Sequence, residues 1–232
     1  MAWWRGRFAT RMRRSGGNAA HVFPGGTLSV VVQGRNITVR LPRDAADAVR
    51  GLPAGPAVFT GRDGELAHAA YVFAPLTPDG SLNGRVVSVV TGATGVGKSA
   101  LALKVAHDLV AAGWFTGGAV FVALHGHGAG DHPGPDAITA RLLGSLGVPD
   151  EAIPADAPAR TAAVRAVLTA LADAGHRVLI VLDDVSSGDQ VGSVLPGSEA
   201  HPVLLTARHT LTDLDAHTTE LHPLPEPAAE RR

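Results

Sequence analysis

Gly92-Ala93-Thr94-Gly95-Val96-Gly97-Lys98-Ser99 is the stretch on which the fold turns, because it fits G-x-x-x-x-G-K-[ST] at every fixed position. The spacing has a physical purpose. Glycines let the backbone turn so that successive N–H groups face inward at phosphate oxygens, and the following helix adds the positive end of its dipole. Lys98 then reaches the β and γ phosphates and the Ser99 hydroxyl serves Mg²⁺, while Gly92, Thr94, Gly95, Val96, Gly97 and Ala100 complete the nucleotide cradle. At the glycine, lysine and serine/threonine usage of this chain, such a match arises by chance roughly 0.003 times. Of twenty basic residues only Lys98 and Lys104 are lysines, so lysine at the motif position runs against the chain's preference for arginine.

The flanks agree with the loop. A β-branched run over 85–91 precedes it, and residues 98–112 place Leu101, Val105 and Leu109 on one helical face before stopping at Gly113. A strand is predicted over 119–124. Two helices follow, one carrying Ile138, Leu142 and Leu146, the other opened by Asp156 as N-cap with Pro158 in its first turn and ended by Gly175. Further strands are predicted over 177–182, 202–206 and 218–222. Apolar strands alternating with helices imply an α/β fold, a three-layer P-loop domain whose five-stranded parallel sheet is covered on both faces.

The predicted third strand, Val178-Leu179-Ile180-Val181-Leu182, runs into Asp183-Asp184. Ligand sites of open parallel sheets form at the carboxyl ends of strands, so Asp183 is placed to hold Mg²⁺ and Asp184 to polarise an attacking water. Arg208, just past the fourth strand, has the fork geometry to sense a γ-phosphate.

Composition bounds the rest. The 232 residues are 45% hydrophobic and 18% charged with net charge −1, which lacks the basic excess of a nucleic-acid-binding face. The absence of cysteine excludes disulfides, iron–sulfur sites and cysteine nucleophiles. No apolar run approaches the roughly 20 residues that span a bilayer, and the expected compartment is the cytoplasm. Residues 1–20 read as a basic flexible tail. Trp4, Phe8 and Met12 within it fall at helical spacing, the pattern of a membrane-surface helix, against which stands the plainer reading of a frayed tail. Residues 21–56 read as a β-hairpin over 27–33 and 36–41 followed by a proline-containing connector with one short helix near 45–49. His125, His127, Asp131 and His132 sit among glycines and read as a solvent loop, not a zinc site.

Residues 57–225 resemble the NB-ARC branch of the STAND signal-transduction ATPases, with 226–232 as a tail. Phe59-Thr60-Gly61-Arg62-Asp63-Gly64-Glu65 is similar to that family's hhGRExE segment, Gly92 to Ser99 to its Walker A, Val178 to Asp184 to its Walker B, Thr206-Ala207-Arg208 to its sensor-1 segment, and Glu220-Leu221-His222-Pro223-Leu224 to its fifth-strand motif. The resemblance implies that Phe59 and Arg62 contact adenine and ribose, that Asp183 serves magnesium and Asp184 hydrolysis, and that the strands take the order 5-1-4-3-2. It also implies a switch driven by ATP and ADP, acting through a protein partner or a homo-oligomer. The family's helical lid and winged helix follow the fifth strand, and this sequence ends soon after that strand, as expected of a natural short form, a fragment, or a partner that borrows a lid from another polypeptide. A small-molecule kinase and a non-hydrolysing interaction module remain alternatives on the residues alone.

Overall fold

The computed structural model describes residues 19–23, 27–32, 35–40, 51–75, 87–124, 132–196 and 199–224. The basic tail up to residue 18, the short helix expected near 45–49, the histidines at 125 and 127, Asp131 and the tail from 226 lie outside them.

Three strands come first: β1 (Ala19–Phe23), β2 (Thr27–Val32) and β3 (Arg35–Arg40), an antiparallel meander with Ala19 opposite Val31 and Thr27 opposite Arg40. The hairpin of the sequence reading is β2–β3. Strand β1 is an addition, and it begins inside the stretch read as a tail. Its residues, Ala-Ala-His-Val-Phe, show no polar/apolar alternation, so the period-2 signal is missing. A two-stranded hairpin alone is marginal in water, and the third strand together with a packed face supplies what it lacks. Val30 and Ile37 face each other across β2 and β3, both buried, and join the cluster formed by Val164, Val167 and Leu168 of the main domain.

The main sheet contains β4 (Val87–Gly92), β5 (Ala119–Ala123), β6 (Leu179–Val185), β7 (Val203–Ala207) and β8 (His217–Leu221), in the order β5-β6-β7-β4-β8. Every ladder is parallel. Counted from β4 as the first strand and read from the β8 edge, this is 5-1-4-3-2, the expected order. The helices are α1 (Asp63–Phe73), α2 (Lys98–Ala111), α3 (Pro135–Ser145), α4 (Ala157–Asp173) and the short α5 (Gly188–Gly192).

The apolar run of β6 explains the layering. Val178, Ile180 and Leu182 belong to one core cluster, with Leu142 of α3 and Val164 and Leu168 of α4; Leu179 and Val181 belong to the other, with Leu101, Val105 and Leu109 of α2 and Phe73 of α1. Alternate residues point to opposite faces, and both faces are covered, so a continuous apolar run is required here. At the sheet's edge, β8 needs no such run: His217, Thr218 and Glu220 are exposed and only Leu221 is buried. The helix boundaries follow their caps. The Asp156 carboxylate accepts from the Ala159 N–H at 3.0 Å at the start of α4, and Gly113 and Gly175 take positive φ after α2 and α4.

Two elements differ from the sequence reading. Helix α1 was not anticipated, because Ala67, Ala69 and Ala70 leave it without a strong apolar stripe and only Val72 and Phe73 are buried. Strand β6 does not end at Leu182 but continues through both aspartates to Val185, by way of a bulge described below.

Buried at 2% exposure, His201 pins the start of β6 to α4. Its Nδ1 accepts from the Val178 N–H at 3.2 Å, so the ring proton sits on Nε2 and is donated to the Leu168 carbonyl at 2.6 Å. Burial lowers its pKa, against the hydrogen bond to Leu168 and with the help of the nearby Arg177 charge. The unfolded chain therefore takes up the proton first. Stability from this group is complete above about pH 6.5 and declines as pH falls below it, by up to about 1.4 kcal/mol per pH unit. Urea unfolding between pH 8 and 5.5 should show this loss, and His201→Gln, which retains one donor and one acceptor, should flatten the slope by about one proton.

Candidate functional site

The loop after β4 is shaped by glycine. Gly92 has φ 138° and a Cβ there would lie 2.5 Å from the Leu221 carbonyl oxygen, so only glycine allows β8 to approach the start of the loop. Gly97, at φ 101°, is the N-cap of α2 and turns the chain directly into the helix. Lys98 is 9% exposed and folds back over the loop, its Nζ donating to the carbonyls of Gly92 and Ala93 at 2.9 Å each. An ammonium has three N–H groups, so one remains for a phosphate oxygen.

Beside the loop lies a cavity of about 330 Å³ lined by Val58, Phe59, Thr60, Arg62, Gly95, Val96, Gly97, Ala100 and Leu224. Its apolar walls and single guanidinium suit a flat heteroaromatic group. Of the residues expected to bind nucleotide, Phe59, Arg62, Gly95, Val96, Gly97 and Ala100 line it; Gly92, Thr94, Lys98 and Ser99 belong to the loop and the first turn of α2. Val58, Thr60 and Leu224 were not anticipated. Val58 and Thr60 flank Phe59 in the chain, whereas Leu224 joins them only through tertiary contact.

Arg62 holds this corner together. One guanidinium nitrogen donates to Glu65 Oε1 at 2.8 Å, and the other to the Val96 carbonyl at 3.2 Å and the His222 carbonyl at 2.6 Å. It thereby joins the start of α1, the phosphate loop and the chain leaving β8. Asp63 and Glu65 in the first turn of α1 also complement the helix dipole.

The carboxylates sit at the other end of the site. Leu182 pairs with Leu205 and Val185 with Ala207, so Asp183 and Asp184 together oppose Thr206 in a β-bulge. Asp184 has φ 64°, a left-handed conformation unusual for a residue other than glycine. The Thr206 hydroxyl, 1% exposed, accepts from the Asp184 N–H at 2.9 Å and donates to Asp183 Oδ1 at 2.6 Å. Two residues on, Arg208 forks onto Asp184, Nε to Oδ1 and NH2 to Oδ2 at 3.1 Å each. The Asp184 carboxylate raises the Arg208 pKa by hydrogen bonding and by its charge, and Arg208 is 58% exposed. A pair this open to water is readily broken.

Register places these groups at one level. Strand β7 lies between β6 and β4, and Val90 pairs with Thr206, so Gly92 emerges beside Arg208. The loop, the arginine and both carboxylates thus share one rim of the sheet. On the β6 side, Gln190 of α5 accepts from the Ser186 N–H at 2.8 Å and donates to the Pro133 carbonyl at 2.9 Å, tying the segment after β6 to the start of α3. Among the described residues no group of three or more His, Asp or Glu side chains forms a metal cage, and no helix is long and apolar enough to cross a membrane.

Two curated relatives share sequence with this chain. The regulatory protein AfsR of Streptomyces coelicolor is 38% identical over 173 residues, and that of Streptomyces griseus 36% identical over 171. Each alignment covers 73% of this chain but only 16% of the relative, so the chain spans about a sixth of the curated relatives it matches. No protein-family model matches the chain. Among solved structures, the Aeropyrum pernix ORC2 protein in ADPNP–ADP complexes overlaps with a TM-score of 0.48 at 18% identity, over 67% of this chain and 43% of that one. Drosophila ORC bound to DNA overlaps with a TM-score of 0.49 at 16% identity, over 76% and 46%. The P-loop fold assigned here rests on the ladders and loop geometry above, not on these overlaps.

Replacing Arg62 should show how far the corner depends on it. Hydrogen bonds to a charged group contribute about 1.5–3 kcal/mol, so Arg62→Ala is expected to lower unfolding stability by roughly 2 kcal/mol in urea titrations. Arg62→Lys should recover little, because a point ammonium cannot span both carbonyls and Glu65.

Proposed function

We propose that the chain is the nucleotide-binding core of an ATP/ADP-dependent regulatory switch of the NB-ARC/STAND type, acting in the cytoplasm through contacts with a protein partner or a second copy. The observation that carries this reading is the juxtaposition of the Lys98 loop with the Phe59–Arg62 cavity: one holds phosphates, and the other is sized for the base. The names of the Streptomyces relatives support a regulatory rather than a metabolic role. The expectation that nucleic acid is not a partner rests on charge balance alone.

In this reading ATP enters with its base between Phe59, Arg62 and Ala100 and its phosphates on the backbone of the loop. Ser99 and Asp183 would hold Mg²⁺, which when bound neutralises charge on the β and γ phosphates. The donor set fits, since one hydroxyl and one carboxylate beside phosphate oxygens are what that ion takes. Arg208 exchanges Asp184 for the γ-phosphate, and the freed Asp184 polarises the attacking water. Because Asp184 is engaged until then, hydrolysis is slow and ADP marks the resting state.

Binding of ATP and ADP by isothermal titration tests the proposal directly. Lys98→Ala should weaken ATP binding at least tenfold. Asp184→Ala should bind normally and lose phosphate release. Full-strength binding by the Lys98 variant would refute the site assignment, and phosphate transfer to a small metabolite would replace the switch with a kinase.

A further inference from the structure

We propose that Thr206 is a positioning residue of this site: its hydroxyl sets the direction of the Asp183 carboxylate toward the cation and holds the strained turn at Asp184. The inference rests on the nucleotide reading above and adds to it a residue outside the loop and outside the carboxylate pair.

The argument begins with proton counting. A hydroxyl has one proton and two lone pairs. In Thr206 a lone pair is taken by the Asp184 N–H at 2.9 Å, and that donor cannot be reversed because it is a backbone amide. The one proton must then go to the other neighbour, Asp183 Oδ1, at 2.6 Å. A donor so directed fixes which of its oxygens faces the protein, which leaves Oδ2 to face a cation.

The bulge makes this hydroxyl necessary. With two residues of β6 opposite one of β7, the ladder has no main-chain partner in place for the Asp184 N–H. Left unpaired, that part-buried donor would destabilise the turn, and Asp184 already sits at φ 64°. Thr206 is 1% exposed and cannot be replaced by water without opening the sheet. One atom therefore satisfies the bulge and aims the carboxylate, and in a β-branched residue held within a strand it has little rotamer freedom in which to do otherwise.

The test is the Mg²⁺ dependence of ATP binding by the full chain, followed with a fluorescent ATP analogue at fixed nucleotide and varied Mg²⁺. Thr206→Val keeps shape and loses the hydroxyl; its Mg²⁺ midpoint should rise roughly tenfold or more, with metal-free nucleotide affinity unchanged. Thr206→Ser restores the hydroxyl and should return the midpoint to that of the natural chain. If the valine chain does not fold, Thr206→Cys, a weaker donor of similar size, should give an intermediate midpoint. A folded valine or cysteine variant with the natural midpoint would overturn the role of Thr206 while leaving the nucleotide reading intact. A natural chain that binds no ATP would overturn both.

Discussion

Burial of a five-stranded parallel sheet on both faces is the constraint from which the rest follows. The interiors of the central strands are largely apolar, as Leu179 to Leu182 show, so the polar chemistry of the site gathers where those strands end. At the carboxyl ends of β4, β6 and β7 the chain has to turn outward, and there glycines, two aspartates, a threonine and an arginine accumulate. The order β6-β7-β4 places β7, with Thr206 and the arginine that follows it, between the loop and the carboxylates. The site is a consequence of sheet topology before it is a set of residues.

Within that frame the charged groups of the site are paired with the protein itself. Lys98 donates to the loop's carbonyls, Arg208 to Asp184, and Arg62 to two carbonyls and Glu65. These arrangements are not equivalent. Arg62 and Lys98 are buried, and their bonds hold separate segments together, whereas Arg208 is open to solvent and its pairing is easily exchanged. In the proposed reading a nucleotide would therefore meet two fixed groups, Arg62 beside the base and Lys98 at the phosphates, and one movable one, Arg208. The movable one is paired with Asp184, the carboxylate proposed to activate water.

The fold was legible in the sequence where periodicity and cap chemistry are strong. The strands of the main sheet, the helix after the loop, the Asp156 cap and the strand order implied by the NB-ARC resemblance all stand in the structure. Helix α1 was not legible, because an alanine-rich segment carries helix propensity without an apolar stripe to reveal it. Strand β1 was not legible either, since its five residues show no alternation and are held by pairing with β2. The extent of β6 was misjudged for a third reason: a bulge has no one-dimensional signature, and the polar residues that make it resemble an ordinary strand end.

By itself the sequence determined the phosphate loop, because the turn at Gly92–Ser99 is a property of contiguous backbone and needs only glycines at the right places. It likewise set Asp183 and Asp184 directly after an apolar strand run, without revealing that the strand continues through them to Val185. Tertiary structure alone decided what surrounds them. Leu224 lines the same cavity as Phe59 although far from it in the chain, Arg62 finds carbonyls on two distant segments, and Thr206 stands opposite both aspartates because β7 lies beside β6. Such contacts depend on strand order and register, which set neighbours by position in space rather than along the chain.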